Sequence, residues 1–123
     1  MKLDHIQMTM PTGQEATARA FFIGIFDMEE LSKPAHLKDR GGCWLKNGPM
    51  NLHIGSEHPF IPQKKAHPAF IVNDILEIER RLREQGFPIK WDQTFTDRQR
   101  FYTEDPFGNR IEILRDGDGF SQK

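Results

Sequence analysis

Three histidines and one glutamate occur at matching points of a chain whose two halves follow the same pattern. His5 and His67 stand near the start of the first apolar–polar segment of each half. His53 and Glu112 stand in the last such segment of each half, 48 residues after His5 and 45 after His67. If a twofold axis relates the halves, the four side chains converge on it. Two histidines and a carboxylate with an open coordination position suit a divalent metal such as Fe(II), Mn, Ni or Zn.

The alternation of apolar and polar residues predicts which way these side chains point, because residues two apart on a strand share a face. His5, His53 and Glu112 each lie opposite an apolar face, whereas His67 shares its face with Ala69. The apolar faces consist of Ile6, Met8 and Met10, of Met50, Leu52 and Ile54, and of Ile111 and Ile113. A single polar face of an antiparallel strand usually meets solvent. Four polar side chains at matching positions favour a shared cavity instead.

Two helices are predicted from their start signals. In the first half, Thr12 with Glu15 three residues later forms a capping box that opens a helix over residues 16–22. In the second half, Asp74 precedes Glu77 in the same way and opens a helix over residues 74–86. This second helix is predicted to end at Gly86, since glycine suits the position after a helix end.

Short strands surround both helices. Strands are predicted at residues 3–10, 28–33, 41–46 and 49–55 of the first half and at 66–72, 88–93, 100–105 and 109–114 of the second. The order is therefore βαβββ twice, an α+β fold with helices on the outer faces of two sheets. We predict one domain made of module one (residues 1–56), a linker (57–65), module two (66–115) and a C-terminal tail (116–123).

Composition excludes several classes of protein. The 123 residues carry a formal net charge of −1 with a pI near 6.5, which does not suit a nucleic-acid binder. No apolar stretch approaches the ~18 residues of a membrane span. The N-terminus lacks the apolar core of a signal peptide, so we expect a cytoplasmic protein. The one cysteine, Cys43, cannot form an internal disulfide and is expected to be a small buried residue.

Four segments carry a family resemblance: LDHIQM (3–8), NLHIGSE (51–57), AHPAFIV (66–72) and FYTEDPFGNRIEIL (101–114). Together they resemble the vicinal oxygen chelate superfamily, which includes glyoxalases, bleomycin resistance proteins and extradiol dioxygenases. The stretch DPFGNRIE (105–112) resembles the superfamily most specifically, as an Asp-Pro-x-Gly-x-x-x-Glu pattern followed by a strand. The resemblance extends over nearly the whole chain.

The resemblance implies that the paired modules form an eight-stranded open barrel around a metal, and that the protein is a homodimer. His5, His67 and Glu112 match the shared His, His and Glu ligands, and His53 falls where glyoxalase I has a fourth ligand, a glutamate. Tyr102 resembles a tyrosine that faces substrate in fosfomycin-resistance enzymes.

At three positions the sequence differs from these relatives, and the differences bear on which activity is expected. His53 replaces a carboxylate that glyoxalase I uses, and Thr9 stands where those enzymes carry an arginine that holds glutathione. Gln7 stands where fosfomycin-resistance enzymes have a threonine. These differences argue against glutathione-dependent glyoxalase activity and put fosfomycin chemistry in doubt.

Three functions remain open on the sequence alone. The first is a divalent-metal-dependent lyase, isomerase or dioxygenase acting on a small oxygen-rich substrate. Arg100, on the face of Tyr102, would orient this substrate, and His53 would act as acid or base if it does not bind the metal. The second is a metal-free protein that binds a drug or a small metabolite. The third is a structural or regulatory partner with a vestigial site.

Overall fold

The computed structural model describes residues 1–94 and 98–116. The chain divides into two compact units, Met1–Pro62 and Gln63–Lys123. The boundary between them falls within the predicted linker 57–65. The predicted C-terminal tail, 116–123, lies outside the described residues from position 117 onward. In the described part of the chain, no helix has the length and apolar composition that crossing a bilayer would require.

The first unit is a four-stranded mixed sheet with one long helix. Its elements are β1 (Ile6–Pro11), α1 (Glu15–Phe26), β2 (Glu29–Leu31), a 3₁₀-helix (Ala35–Arg40), β3 (Cys43–Asn47) and β4 (Met50–Glu57). The strand order is β1-β4-β3-β2, with β1 parallel to β4 and the other pairs antiparallel. Its core contains Met10, Phe21, Phe22, Leu45 and Leu52, and Cys43 is buried as predicted. Burial raises the pKa of the Cys43 thiol.

The second unit repeats this order. Its elements are β5 (Ala69–Val72), α2 (Ile75–Glu84), β6 (Lys90–Trp91), β7 (Arg100–Glu104) and β8 (Arg110–Arg115). The strand order is β5-β8-β7-β6, with β5 parallel to β8. The βαβββ pattern and the α+β class are therefore confirmed as two four-stranded sheets. The eight-stranded barrel stays a prediction.

The two helices begin differently, and one predicted cap is wrong. Asp74 accepts a hydrogen bond from the backbone N–H of Glu77 at 3.1 Å, as predicted for the start of α2. The predicted cap Thr12 does not cap α1, which begins after Gln14 without a side-chain cap. Glu15 instead accepts a hydrogen bond from the backbone N–H of Gly42 at 2.7 Å, so its carboxylate holds the segment before β3.

The strand register brings the predicted candidate residues to equivalent positions. On β4, His53 lies opposite Gln7 of β1 and Trp44 of β3. On β8, Glu112 lies opposite Ala69 of β5 and Tyr102 of β7. Since His5 precedes Gln7 by two residues and His67 precedes Ala69 by two, the matching predicted from the repeat holds for both pairs. Tyr102 is likewise the counterpart of Trp44.

A buried turn sets the start of β8. The Asp105 carboxylate accepts hydrogen bonds from the backbone N–H groups of Phe107 and Asn109, both at 2.9 Å, and from the Asn109 side chain at 2.8 Å. Asn109 in turn accepts from the backbone N–H of Gln63. Burial raises the pKa of Asp105, and these hydrogen bonds oppose the rise. The turn therefore fixes where β8 begins and hence which face carries Glu112.

Candidate functional site

The second unit brings two predicted ligands into contact. His67 lies two residues before β5 and Glu112 lies at the centre of β8, with His67 Nε2 3.1 Å from Glu112 Oε1. Their side chains are 21% and 10% exposed. The contact is therefore shielded from bulk water on most sides.

The hydrogen bond of the other ring nitrogen of His67 determines whether Nε2 carries a proton in the neutral ring. His67 Nδ1 lies 2.8 Å from the backbone carbonyl oxygen of Lys65. A carbonyl only accepts hydrogen bonds, so Nδ1 must carry the proton. In a neutral imidazole Nε2 then has a lone pair directed at Glu112 Oε1, another acceptor. A proton or a metal cation between the two atoms removes this repulsion.

The distances suit a metal cation. Zinc-like ions bind histidine nitrogen and carboxylate oxygen at ~2.0–2.2 Å. Two ligand atoms on one such ion lie ~3.0–3.4 Å apart for angles between a right angle and the tetrahedral one. The 3.1 Å between His67 and Glu112 falls in this range, which an ordinary hydrogen bond also reaches. A backbone carbonyl on the distal nitrogen is also one of the common supports of a metal-binding histidine. His67 and Glu112 therefore fit a divalent metal.

Arg100 contacts the same carboxylate. Its Nη1 donates a hydrogen bond to Glu112 Oε2 at 2.8 Å, and its side chain is 13% exposed. The predicted role of Arg100 was to orient substrate from the face of Tyr102. The structure directs this guanidinium group at Glu112, so each carboxylate oxygen has its own partner.

Tyr102 lines a cavity beside this pair. Its ring lies edge-on to His67 with centroids 5.9 Å apart, and the Arg110 guanidinium lies over it at 4.1 Å. The cavity has a volume of about 620 Å³ and is lined by Lys90, Trp91, Asp92, Gln93, Thr94, Tyr102 and Arg110. Burial, with the charges of Glu112 and Asp92, raises the pKa of the Tyr102 hydroxyl.

Lys90 and Arg110 were missed by the sequence analysis, although the sequence carried a signal for Arg110. Arg110 precedes Glu112 by two residues and therefore shares its face of β8. Lys90 lies opposite Tyr102 across β6 and β7, a pairing that depends on the register of a two-residue strand. The two cations outnumber Asp92 in the lining, so the cavity favours a negatively charged ligand.

The first unit arranges its candidate residues as a stack of rings. The His53 ring lies parallel to Trp44, with centroids 4.2 Å apart and planes at 6°, and stacks on His5 at 4.1 Å and 17°. Burial lowers the pKa of His53, the nearby His5 lowers it further, and Asp4 opposes both. His53 is therefore favoured as a neutral imidazole.

His5 resembles His67 in the support of its ring. Its Nδ1 lies 2.9 Å from a carboxylate oxygen of Asp4, which leaves Nε2 available as a ligand. Within residues 1–94 and 98–116, however, no three side chains of His, Cys, Asp or Glu cluster as a metal site would require. The four-ligand set of His5, His53, His67 and Glu112 stays a prediction.

The geometry and the fold agree with the family that sequence comparison identifies. Residues 2–113 match the model of the Glyoxalase/Bleomycin resistance protein/Dioxygenase superfamily. The chain therefore belongs to this superfamily, as the resemblance implied.

Solved structures give the same assignment. A protein from Bacillus anthracis assigned to the glyoxalase family is 48% identical, with a TM-score of 0.88 and 94% of each chain covered. A glyoxalase/dioxygenase from Nostoc punctiforme is 21% identical, with a TM-score of 0.76 over 95% of this chain and 92% of that one. The fosfomycin resistance protein FosX from Listeria monocytogenes, complexed with Mn(II) and sulfate, is 17% identical, with a TM-score of 0.72 over 93% and 89%. The last two share the fold. No curated protein matches the chain.

Proposed function

We propose that this protein is a divalent-metal-dependent enzyme of the superfamily that acts on a small, oxygen-rich and negatively charged substrate. The observation that carries the proposal is the contact between His67 Nε2 and Glu112 Oε1, made while His67 Nδ1 is held by the Lys65 carbonyl. With neutral His67 and ionised Glu112 both facing atoms are acceptors, and a divalent cation satisfies both at once. The FosX structure complexed with Mn(II) supports a divalent metal in a protein of this fold.

His67 and Glu112 would hold the metal, with His5 as the predicted third ligand and His53 as a fourth or nearby one. The eight-stranded barrel, the homodimer and the cytoplasmic location implied earlier are part of the same proposal. When bound, the metal supplies Lewis-acid polarisation of a substrate oxygen, which lowers the cost of developing negative charge. Lyase, isomerase and dioxygenase chemistry all use this effect.

The protein's own residues would bind and orient the substrate. Lys90 and Arg110 provide positive charge in the 620 Å³ cavity, and Arg110 is held in place over the Tyr102 ring. The Tyr102 hydroxyl donates a long hydrogen bond to Asp92 Oδ2 at 3.5 Å and would redirect it to a bound substrate oxygen. His53, favoured as a neutral imidazole, can accept a proton if it is not a ligand.

The test is metal binding by the purified protein. Chelator-treated protein is titrated with Mn²⁺, Ni²⁺, Zn²⁺ and, without oxygen, Fe²⁺ in a calorimeter. At least one ion should bind stoichiometrically, and His67→Ala should weaken binding by about 100-fold or more, beyond the range of losses at supporting residues. His36→Ala, at an exposed histidine of the 3₁₀-helix, is the matched control and should bind as the wild type does. Equal binding by His67→Ala and wild type would rule out the proposal.

One observation favours a metal-free binding protein instead. Arg100 already places a positive charge on Glu112, so the carboxylate would be satisfied without a metal if His67 were protonated. The cavity beside Tyr102 would then bind an anionic metabolite or drug through Lys90 and Arg110 alone. The same titration separates the two functions, because this alternative predicts no stoichiometric binding of any of the four ions.

A further inference from the structure

Arg100 is the direct neighbour of the proposed metal ligand Glu112. It lies on β7 two residues before Tyr102, which pairs with Glu112, and its guanidinium reaches diagonally to Glu112 Oε2 at 2.8 Å. Both side chains are nearly buried, with 13% and 10% exposure. Burial of this kind limits the competition of water for the contact, so the arginine holds the carboxylate in a defined orientation.

The contact restricts how Glu112 can bind a cation. A carboxylate binds a metal through one oxygen or through both. Since Arg100 engages Oε2, the oxygen that faces His67 is Oε1 alone. Glu112 is thereby presented as a one-oxygen ligand, which leaves more coordination positions for other ligands than a two-oxygen carboxylate would.

The charge of Arg100 determines its effect on the carboxylate. A histidine ligand is usually supported by a carboxylate, a carbonyl or water, which makes it more basic, and loss of a supporting residue weakens metal binding by about 10–100-fold. A carboxylate ligand accepts hydrogen bonds, and here the donor carries a full positive charge. An arginine is always positively charged. It withdraws electron density from Glu112 and repels a cation placed on the other oxygen.

We propose that Arg100 is a positioning residue that holds Glu112 as a one-oxygen ligand and weakens the site's affinity for divalent cations, leaving the bound cation a stronger Lewis acid. The inference rests on the proposed metal-dependent function. It differs from the role predicted from the sequence, because Arg100 acts through Glu112 and not on the substrate.

The experiment compares metal affinity among variants that separate charge from shape. Arg100→Gln keeps an N–H donor for Glu112 but removes the charge, and Arg100→Lys keeps the charge. Chelator-treated proteins are titrated with Mn²⁺ and with Co²⁺. Arg100→Gln should bind both ions about tenfold more tightly than wild type, since a like charge is removed a few ångströms from the ion. Arg100→Lys should bind within about threefold of wild type.

Arg115→Gln is the matched control, because it removes one positive charge at an exposed position at the end of β8. It should bind like wild type. A second readout is the visible absorption of bound Co²⁺, which depends on coordination number and geometry. Arg100→Ala, which frees Oε2, should change this spectrum, and Arg100→Lys should not.

The outcomes distinguish the two proposals. If wild type binds neither ion, the metal-dependent function fails. If wild type binds and Arg100→Gln binds equally or more weakly, the function stands and the role of Arg100 is wrong, because a merely structural arginine would lose affinity when replaced. Should Arg100→Gln not fold, as judged by circular dichroism, Arg100→Met removes the charge together with the hydrogen bond to Glu112. It should also bind both ions more tightly than wild type, and equal or weaker binding would overturn the role of Arg100.

Discussion

The two units place different chemistry on the same frame. Each has a βαβββ order and a parallel pairing of its first and last strands, and His53 and Glu112 occupy equivalent positions. Around Glu112 the second unit gathers a histidine and a buried arginine. Around His53 the first unit gathers aromatic rings. One unit is therefore built to hold charge and the other to keep an imidazole neutral.

The counterpart of Arg100 explains part of this difference. Trp44 matches Tyr102, so the residue two positions before Trp44 is the equivalent of Arg100, and it is Gly42. Gly42 has φ +81°, and a Cβ there would lie 2.2 Å from the Ile54 carbonyl oxygen. No side chain fits at that position. The first unit thus has no room for an arginine beside its own candidate ligand.

Glu112 should give the largest difference between the units. Glu112→Gln keeps the shape of the side chain and a hydrogen-bond acceptor for Arg100 but removes the charge that a cation needs. We expect divalent-metal affinity to fall by about 100-fold or more, measured by calorimetry. His53→Gln, at the equivalent position of the first unit, is the matched variant, and its metal affinity should fall by less than that of Glu112→Gln. A larger loss from His53→Gln would reverse the division of roles between the units.

Gly42 tests the steric part of the comparison. Gly42→Ala combines a left-handed φ with a backbone clash, and the free energy of unfolding should fall by about 2–4 kcal/mol. Gly48→Ala is the control, since Gly48 has φ +57° but open space around its Cβ position, and it should cost about 1 kcal/mol. Chemical denaturation measures both. If both variants lost the same free energy of unfolding, the close contact between a Cβ at position 42 and the Ile54 carbonyl oxygen would not contribute to the cost.

The first residues of the two helices should differ less in their contribution to the free energy of unfolding. Asp74→Ala removes the acceptor for the N–H of Glu77 and should lower the free energy of unfolding by about 1 kcal/mol. Thr12→Ala removes the cap that the sequence predicted for α1 but the structure lacks. Its effect should stay within about 0.5 kcal/mol, as at other surface positions. A loss at Thr12 equal to that at Asp74 would contradict the observed start of α1.

The pH dependence of stability tests the environment of His53 in metal-free protein. Because burial and His5 lower its pKa in the folded state, against the opposing effect of Asp4, the unfolded chain binds a proton first as the pH falls. Stability should be full above about pH 6.5 and decline below it, until the pH reaches the lower folded-state pKa. His53→Gln should reduce this decline between pH 7.5 and 5.5, because the side chain that takes up the proton is removed. His36→Gln, at an exposed histidine, should leave the decline unchanged, and identical profiles for wild type and His53→Gln would refute the shift.

Much of the fold was readable because it depends on local patterns. Alternation marked the strands that carry His53 and Glu112, and burial of Leu52, Ile54, Ile111 and Ile113 follows it. The wrong cap at Thr12 shows the limit of such signals. A Thr-x-x-Glu spacing suits a capping box, but Glu15 had a stronger partner in the N–H of Gly42, 27 residues away.

The sequence by itself determined the repeated βαβββ order, the strand faces and the candidates His5, His53, His67 and Glu112, because residue periodicity and turn signals act over a few neighbours. Tertiary structure decided what each candidate touches. The pairing of Glu112 with Arg100 depends on the register between β7 and β8, and the stacking of His53 on Trp44 depends on that between β3 and β4. Register places side chains from distant parts of the chain within a few ångströms of each other. Hydrogen bonds and ring contacts act only at that range, so the chemistry of equivalent residues was settled by their neighbours across the sheet.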